Sequence, residues 1–252
     1  MEPPNSLRPA LSRAPSAEPA RWLVEGIKGF AVNVGSVVPH GFQAYARVFQ
    51  PARTGETDGR AVTWGEIAAS MDRVLHPEAQ WPNIAFSHEI TNINELQRPP
   101  AGAIWSSAPE EGELDPEVAR ALAEVLGAYT TTDKCWFGVW EGWGGLRQDI
   151  RQAPAFELPA RRYFLLEGPI EAINETVSQD TFYRSASLWW PDDRPWFVAI
   201  DVDLESAYVG GTNACIEALV SHPDLEVLRV EVTHGVTWDA DTVNPNPLRL
   251  SN

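Results

Sequence analysis

Cysteine and lysine are nearly missing from this 252-residue chain: Cys135 and Cys215, Lys28 and Lys134 are all it has. Two cysteines inside apolar runs make no disulfide framework and read as buried thiols. The longest cluster of basic residues is the pair Arg161–Arg162, so there is no stripe that could release counterions from a phosphate backbone, and nucleic acid is excluded as a partner. No stretch reaches the roughly 18 apolar residues of a membrane helix, and the opening MEPPNSLRPALSRAPSAEP has no apolar core of a secretory leader. A cytoplasmic protein without membrane attachment is therefore expected. The five histidines are scattered, none at i, i+4 or His-x-His spacing, which argues against zinc. Neither a G-x-S-x-G turn nor a phosphate-binding glycine signature occurs, so no catalytic residue, metal or cofactor is assigned.

What is abundant is acid and tryptophan. Thirty-five acidic against 19 basic residues give a formal charge of −16, spread without runs longer than a pair. Such a field keeps a protein soluble and also speeds encounter with a basic protein partner. Hydrophobic residues at 44% suffice for a core without staples.

The chain reads as a Pro/Ser/Ala-rich flexible arm over 1–16, one α+β domain over 17–235 and an irregular tail over 236–252. A helix starts after Ser16, carrying Trp22, Leu23, Ile27 and Phe30 at helical spacing. Ala31–Val38 and Phe42–Phe49 alternate around Pro39-His40-Gly41 and predict a hairpin. Thr63 with Glu66 forms a capping box. The proline-broken span from His76 to Gly112 predicts a long loop with short helical turns. Asp115 and Pro116 cap and open the clearest helix, with Val118, Leu122, Val125, Leu126 and Tyr129 on one stripe. Strands follow at Cys135–Glu141, Arg161–Glu167 and Leu225–Val232, and Ser187–Trp190 with Trp196–Leu204 form a hairpin about Pro191–Pro195. Thr212 to Val220 is a short helix. Together these predict an α+β fold with a mixed, largely antiparallel sheet of four to six strands and helices packed on one side.

Six of the eleven tryptophans crowd into two stretches: Trp136, Trp140 and Trp143, then Trp189, Trp190 and Trp196. Indoles fill cores, but they also make rigid recognition faces with a polar N–H. Trp189 and Trp190 are adjacent on a strand and point to opposite faces, so one of them is expected outside the core. Trp143 lies in the glycine loop Glu141–Gly145. The candidate binding residues are thus Trp143, Trp189 and Trp190, with Glu141, Arg161, Asp192 and Arg194 as polar neighbours. Asp201, Asp203 and Glu205 share one strand face if the strand continues, which could chelate Mg²⁺ or simply keep a strand end solvated. Arg47, Arg161 and Arg162 need partners if covered, and Glu141 or Glu167 could supply them.

The phrases VGSVVPHGFQAYARVFQPA, RVLHPEAQW, KCWFGVWEGWGGL, LPARRYFLLEGP and LWWPDDRPWFVAIDVDLESAYVGG occur in that order across residues 30 to 230. They resemble those of a family of uncharacterised proteins of high-GC actinobacteria, which implies one domain in a bacterial cytoplasm and brings with it no assigned activity, cofactor or catalytic residue. WEGWGG and LPARRYFLL are also similar to phrases of the SUKH immunity superfamily, an α+β fold that binds toxins. Two functions are open. One is a non-catalytic protein-binding module, of immunity or adaptor type, using an aromatic-rich surface in an acidic field. The other is a small-molecule enzyme or sensor with a pocket near Trp143 and Trp189/Trp190. An aromatic patch without shifted carboxylates marks the first; a concavity with converging polar groups and perturbed pKa values marks the second.

Overall fold

In this computed structural model, residues 10–55 and 59–249 are described. Strand β1 (Ser12–Arg13) and helix α1 (Arg21–Gly26) come first, then β2 (Ala44–Phe49), β3 (Ala52–Arg53), β4 (Ala61–Val62), α2 (Trp64–Ser70) and α3 (Trp81–Ala85). The second half holds α4 (Pro116–Gly127), β5 (Cys135–Trp140), β6 (Ala155–Leu158), β7 (Arg161–Gly168), β8 (Leu188–Pro191), β9 (Phe197–Ala199), β10 (Ser206–Gly211), α5 (Asn213–Val220) and β11 (Val227–Val230). Helices plus a largely antiparallel sheet agree with the expected class, but the main sheet has nine strands, not four to six. Its order is β1-β7-β5-β8-β9-β10-β2-β11, with β6 also on β7. β3 and β4 pair separately.

Several local signals hold. Thr63 and Glu66 exchange reciprocal capping bonds, and Asp115 accepts from the N–H groups of Glu117 and Val118 at the start of α4. The β8–β9 hairpin pairs Trp189 with Val198. Others are overturned. Ala31–Val38 is no strand: Asn33 caps a 3-10 turn over Val34–Ser36, and Ser36 Oγ accepts the Asn33 N–H in return, so side-chain bonds hold the backbone out of a ladder. The strand expected to run from Trp196 to Leu204 stops at Ala199. Its antiparallel partner is β10, which includes two glycines; a Cβ on Gly210 would strike Phe42 and Val38.

Helices do not pack on one side only. α4 and α5 cover one face of the sheet, over Phe137, Val139, Leu166, Trp189, Val198 and Val209. The opposite face, with Trp136, Tyr163, Leu165, Trp190 and Phe197, lies beneath α1 and the Val34–Val38 turn. Both faces of the central strands are therefore buried, and alternation cannot separate core from surface. A third core gathers Phe49 with α2, α3 and the loop after them, where Trp64, Trp81 and Trp105 succeed one another at centroid distances of 5.4 and 5.0 Å. This aromatic row gives the expected long loop its order. Arg47, 2% exposed, donates to the carbonyls of Pro77 and Ala79, with Phe49 and Trp64 against its guanidinium, and needs neither Glu141 nor Glu167.

The ends of the chain are packed where described. Of the arm expected over 1–16, residues 1–9 lie outside the described residues. Leu11 and Ala14 are buried, Ser12–Arg13 pair with Glu167 and Leu166, and Glu175 accepts the N–H groups of Ala10 and Leu11. The described part of the tail, 236–249, lacks named elements, yet Val236, Asp241 and Asn244 are buried in it. Asp241 accepts from Asn244, Val243 and Gln80 N–H groups and meets His76 Nε2 at 2.8 Å.

Candidate functional site

The residues singled out from the sequence do not form one site. Trp189 and Trp190 point to opposite faces as expected, but both are 0% exposed because each face has its own covering layer. The expectation that one of them stands outside the core is thereby corrected. Trp136, opposite Trp190, donates its indole N–H to Asp192 at 2.8 Å, which makes Asp192 an anchor for a buried ring. Glu141 is paired with Arg162 at the surface. Arg161 is paired with Asp201 and Asp203, which lie in the β9–β10 turn rather than on a strand face. Glu205 lies outside that pairing, and among the described residues no group of three His, Cys, Asp or Glu is arranged to hold a metal ion. Arg194 is exposed with its guanidinium 5.4 Å from the Trp22 ring. Cys135 and Cys215 are free and buried, and burial pushes both thiols up to about 12, far from reactive thiolate. Of the eleven tryptophans, Trp238 in the tail is the exposed one, at 61%.

Trp143 is the exception. It is half-buried, and the guanidinium of Arg184 lies 4.1 Å over its ring. Arg184 in turn lines a cleft of about 450 Å³ that none of the singled-out residues enters. Three segments far apart in sequence build its walls: the chain from Gln50 to Gly55, the approach to α4 from Ser107 to Pro116, and Phe182–Arg184.

Specific hydrogen bonds and ion pairs fix Gln50, Arg53, Glu113 and Tyr183 there. Gln50 follows β2, where its carbonyl accepts the Trp64 indole N–H at 2.9 Å and its N–H donates to the Glu205 carbonyl at 3.2 Å. Its side-chain Oε1 accepts the Asp115 N–H at 2.8 Å, so the other amide atom is Nε2 with two N–H donors. Gln50 is 1% exposed and Nε2 has no acceptor. A buried donor without a partner costs on the order of 1–3 kcal/mol. Arg53 in β3 is bonded through its backbone to Ser107 and through its guanidinium to Asp115, Glu117 and the Gly59 carbonyl.

Glu113 pairs with Arg184. Its side chain is 12% exposed, and burial, reinforced by Glu110, outweighs the pull of Arg184 and raises its carboxyl to about 7. Gly112 sets its approach: at φ +74° it donates to the Leu204 carbonyl, and a Cβ there would lie 2.6 Å from Val202 Cα. Tyr183 donates its hydroxyl to the Ile173 carbonyl, and burial lifts the phenol to about 12. Phe182 stands at the rim, 72% exposed. The lining therefore combines a carboxyl that exchanges its proton near neutrality, an unmatched amide donor, two paired guanidinia and apolar walls.

Sequence reasoning missed this cleft. Asp115 was legible as a helix cap, but nothing local ties Gln50, Glu113 and Arg184 together across 134 positions of chain. Among the described residues, no helix is long and apolar enough to cross a membrane. No protein-family model matches the chain, and neither a curated protein nor a solved structure matches it.

Proposed function

We propose that this protein binds a small polar molecule in the cleft between Gln50–Gly55, Ser107–Pro116 and Phe182–Arg184, as a sensor or an enzyme. One observation carries the reading: Gln50, whose amide nitrogen is buried without an acceptor, lines a concavity that also holds a carboxyl raised to about 7. Unmatched buried donors and displaced carboxyl pKa values are expensive in a fold and gather where a ligand repays them. This cleft is not the pocket expected near Trp143, Trp189 and Trp190, since none of those rings lines it.

Equilibrium dialysis of the full chain against a mixed small-metabolite extract tests this. The wild type should enrich at least one compound, and Arg184→Ala should lose that enrichment about tenfold or more while keeping its cooperative unfolding. Equal enrichment by both proteins would remove the cleft from consideration. A recognition surface for a basic protein partner is the second reading. It now rests on Phe182 and Trp238, both well exposed in a chain of charge −16, instead of on the paired indoles. Under that reading Phe182→Ala and Trp238→Ala weaken capture of a basic partner, and dialysis enriches nothing.

A further inference from the structure

A second cavity lies beneath the segment that follows α1, and it shares no lining residue with the cleft. Phe30 and Ala31 line it from that segment, facing Arg161 and Tyr163 of β7, Leu188 of β8 and Asp201. The covering segment is tied at its ends. Ile27 is 3% exposed and donates its N–H to the Leu23 carbonyl, while the N–H groups of Val32 and Asn33 both donate to Ser36 Oγ. Between these ties, the backbone of residues 28–31 makes no hydrogen bond among the described residues. Ala31 sits at φ +46°, in the left-handed region where a Cβ crowds the backbone. Ala160, between the lining residues Pro159 and Arg161, sits at φ +58°. Strained backbone of this kind gathers at lids and ligand clamps, where the surrounding structure holds it in place. Here the Phe30 ring pins the segment to the sheet, with the Arg161 guanidinium 4.5 Å from its centroid.

The floor beneath is polar. Arg161 commits its Nη2 to Asp201 and Asp203, and the plane of the group is met by rings, Trp140 at 5.4 Å as well as Phe30. Tyr163 is 4% exposed and stacks on Phe156. Its hydroxyl has no hydrogen-bond partner among the described residues, yet it is not sealed as the indole N–H groups of Trp189 and Trp190 are. Burial raises this phenol, and the charges of Asp201 and Arg161, which line the same cavity, act on it. With the segment down, the cavity measures about 20 Å³, room for one water and nothing larger. We infer that residues 28–31 are a lid, and that with Phe30 withdrawn the cavity takes an aromatic ring, seated on the Arg161 guanidinium in place of the Phe30 ring and hydrogen-bonded through a polar substituent to Tyr163. Phe30 is then an internal competitor for the seat, and the ligand's apparent affinity is reduced by the fraction of time the lid is closed. This site stands apart from the cleft and does not rest on it.

The test titrates phenol and cyclohexanol, alike in size and hydroxyl but not in flatness, into the full chain labelled with ¹⁵N and into its Phe30→Ala variant. Phenol should shift backbone amides of residues 27–37, 158–163 and 199–201 and leave those of 50–55 and 182–184 in place. Phe30→Ala should bind phenol about tenfold more tightly than the wild type, because the competing ring is gone. Cyclohexanol should bind either protein several-fold more weakly than phenol, since it offers the guanidinium no π face. Tyr163→Phe should weaken phenol several-fold. Equal phenol affinity in Phe30→Ala and the wild type would overturn the lid. Cyclohexanol binding as well as phenol, or phenol indifferent to Tyr163→Phe, would overturn the seat. Shifts confined to residues 50–55, 107–115 and 182–184 would overturn this inference and support the cleft instead. Should Phe30→Ala fail to fold, relaxation dispersion on the wild type decides. Residues 28–33 must then show exchange that phenol alters, and flat profiles with and without phenol would overturn the lid.

Discussion

The β8–β9 hairpin and the cleft beside α4 are opposites in composition and in what they leave unsatisfied. The hairpin is aromatic and sealed: Trp189 lies 5.1 Å from Trp196, and Trp190 meets Phe156 and Phe197 on the other face. The cleft is polar and open, built from side chains that would be unremarkable singly. Aromatic density marks where this fold buries area, whereas the candidate site is marked by charge and hydrogen-bonding groups with less than their full complement of partners. Even the hairpin has unpaired indole N–H groups at Trp189 and Trp190. They differ from Gln50 in that neither ring lines the cleft.

The strongest way to break this contrast is to truncate a sealed ring. Trp189→Ala should cost about 3–5 kcal/mol, the penalty for removing a large core aromatic with incomplete collapse of the cavity. Denaturant unfolding of both variants measures it, with Arg184→Ala as the companion, expected to lose no more than about 1–2 kcal/mol. A Trp189→Ala protein as stable as Arg184→Ala would mean that the hairpin is not the packed element described.

Next in size is the pH dependence imposed by Glu113. Its folded carboxyl titrates at about 7, above the ordinary 4.5, so between those values the folded chain keeps a proton that the unfolded chain releases. Stability is then fullest below about 4.5 and is lost as pH rises through 7, by roughly 3 kcal/mol for a displacement of this size. Glu205, raised to about 7 by burial and by Glu111, acts with the same sign. Unfolding free energies at pH 5 and pH 8 should therefore favour pH 5, and Glu113→Gln should remove about half of that difference. An unchanged slope in Glu113→Gln would place the titrating group elsewhere.

How much was readable in advance follows the range of the interactions. Thr63–Glu66 and Asp115–Pro116 announce their helices because a cap is decided within four residues. The β8–β9 pairing was legible from a turn between two apolar runs. Alternation failed over Ala31–Val38, where Asn33 and Ser36 form a competing local bond, and in the central strands, where both faces are core. Several of the additional strands, β1, β3 and β4, are two-residue pieces stabilised by neighbours distant in sequence, beyond the reach of any periodicity. The cleft was illegible for the same reason: Gln50 becomes a buried donor only because Asp115 claims its oxygen from 65 positions away. Trp143 differs from the sealed indoles in being half-buried; the Arg184 guanidinium over its ring is a feature it shares with Trp136, which Lys134 covers in the same way.

The smallest expected effect separates surface charge from site charge. Glu141 and Glu113 each pair with one arginine, yet Glu141 is 41% exposed and Glu113 only 12%. Exposed pairs of this kind contribute about 0–1 kcal/mol, because water and salt screen the attraction and two long side chains must be ordered to make it. Glu141→Ala should accordingly unfold within about 1 kcal/mol of the wild type and leave dialysis enrichment unchanged, and its effect should shrink further at high salt. If instead Glu141→Ala abolished enrichment while Glu113→Gln did not, the ligand would sit on the glycine-loop side of Trp143. The polar residues first singled out there would then form the site, and the Arg184 side would be structural.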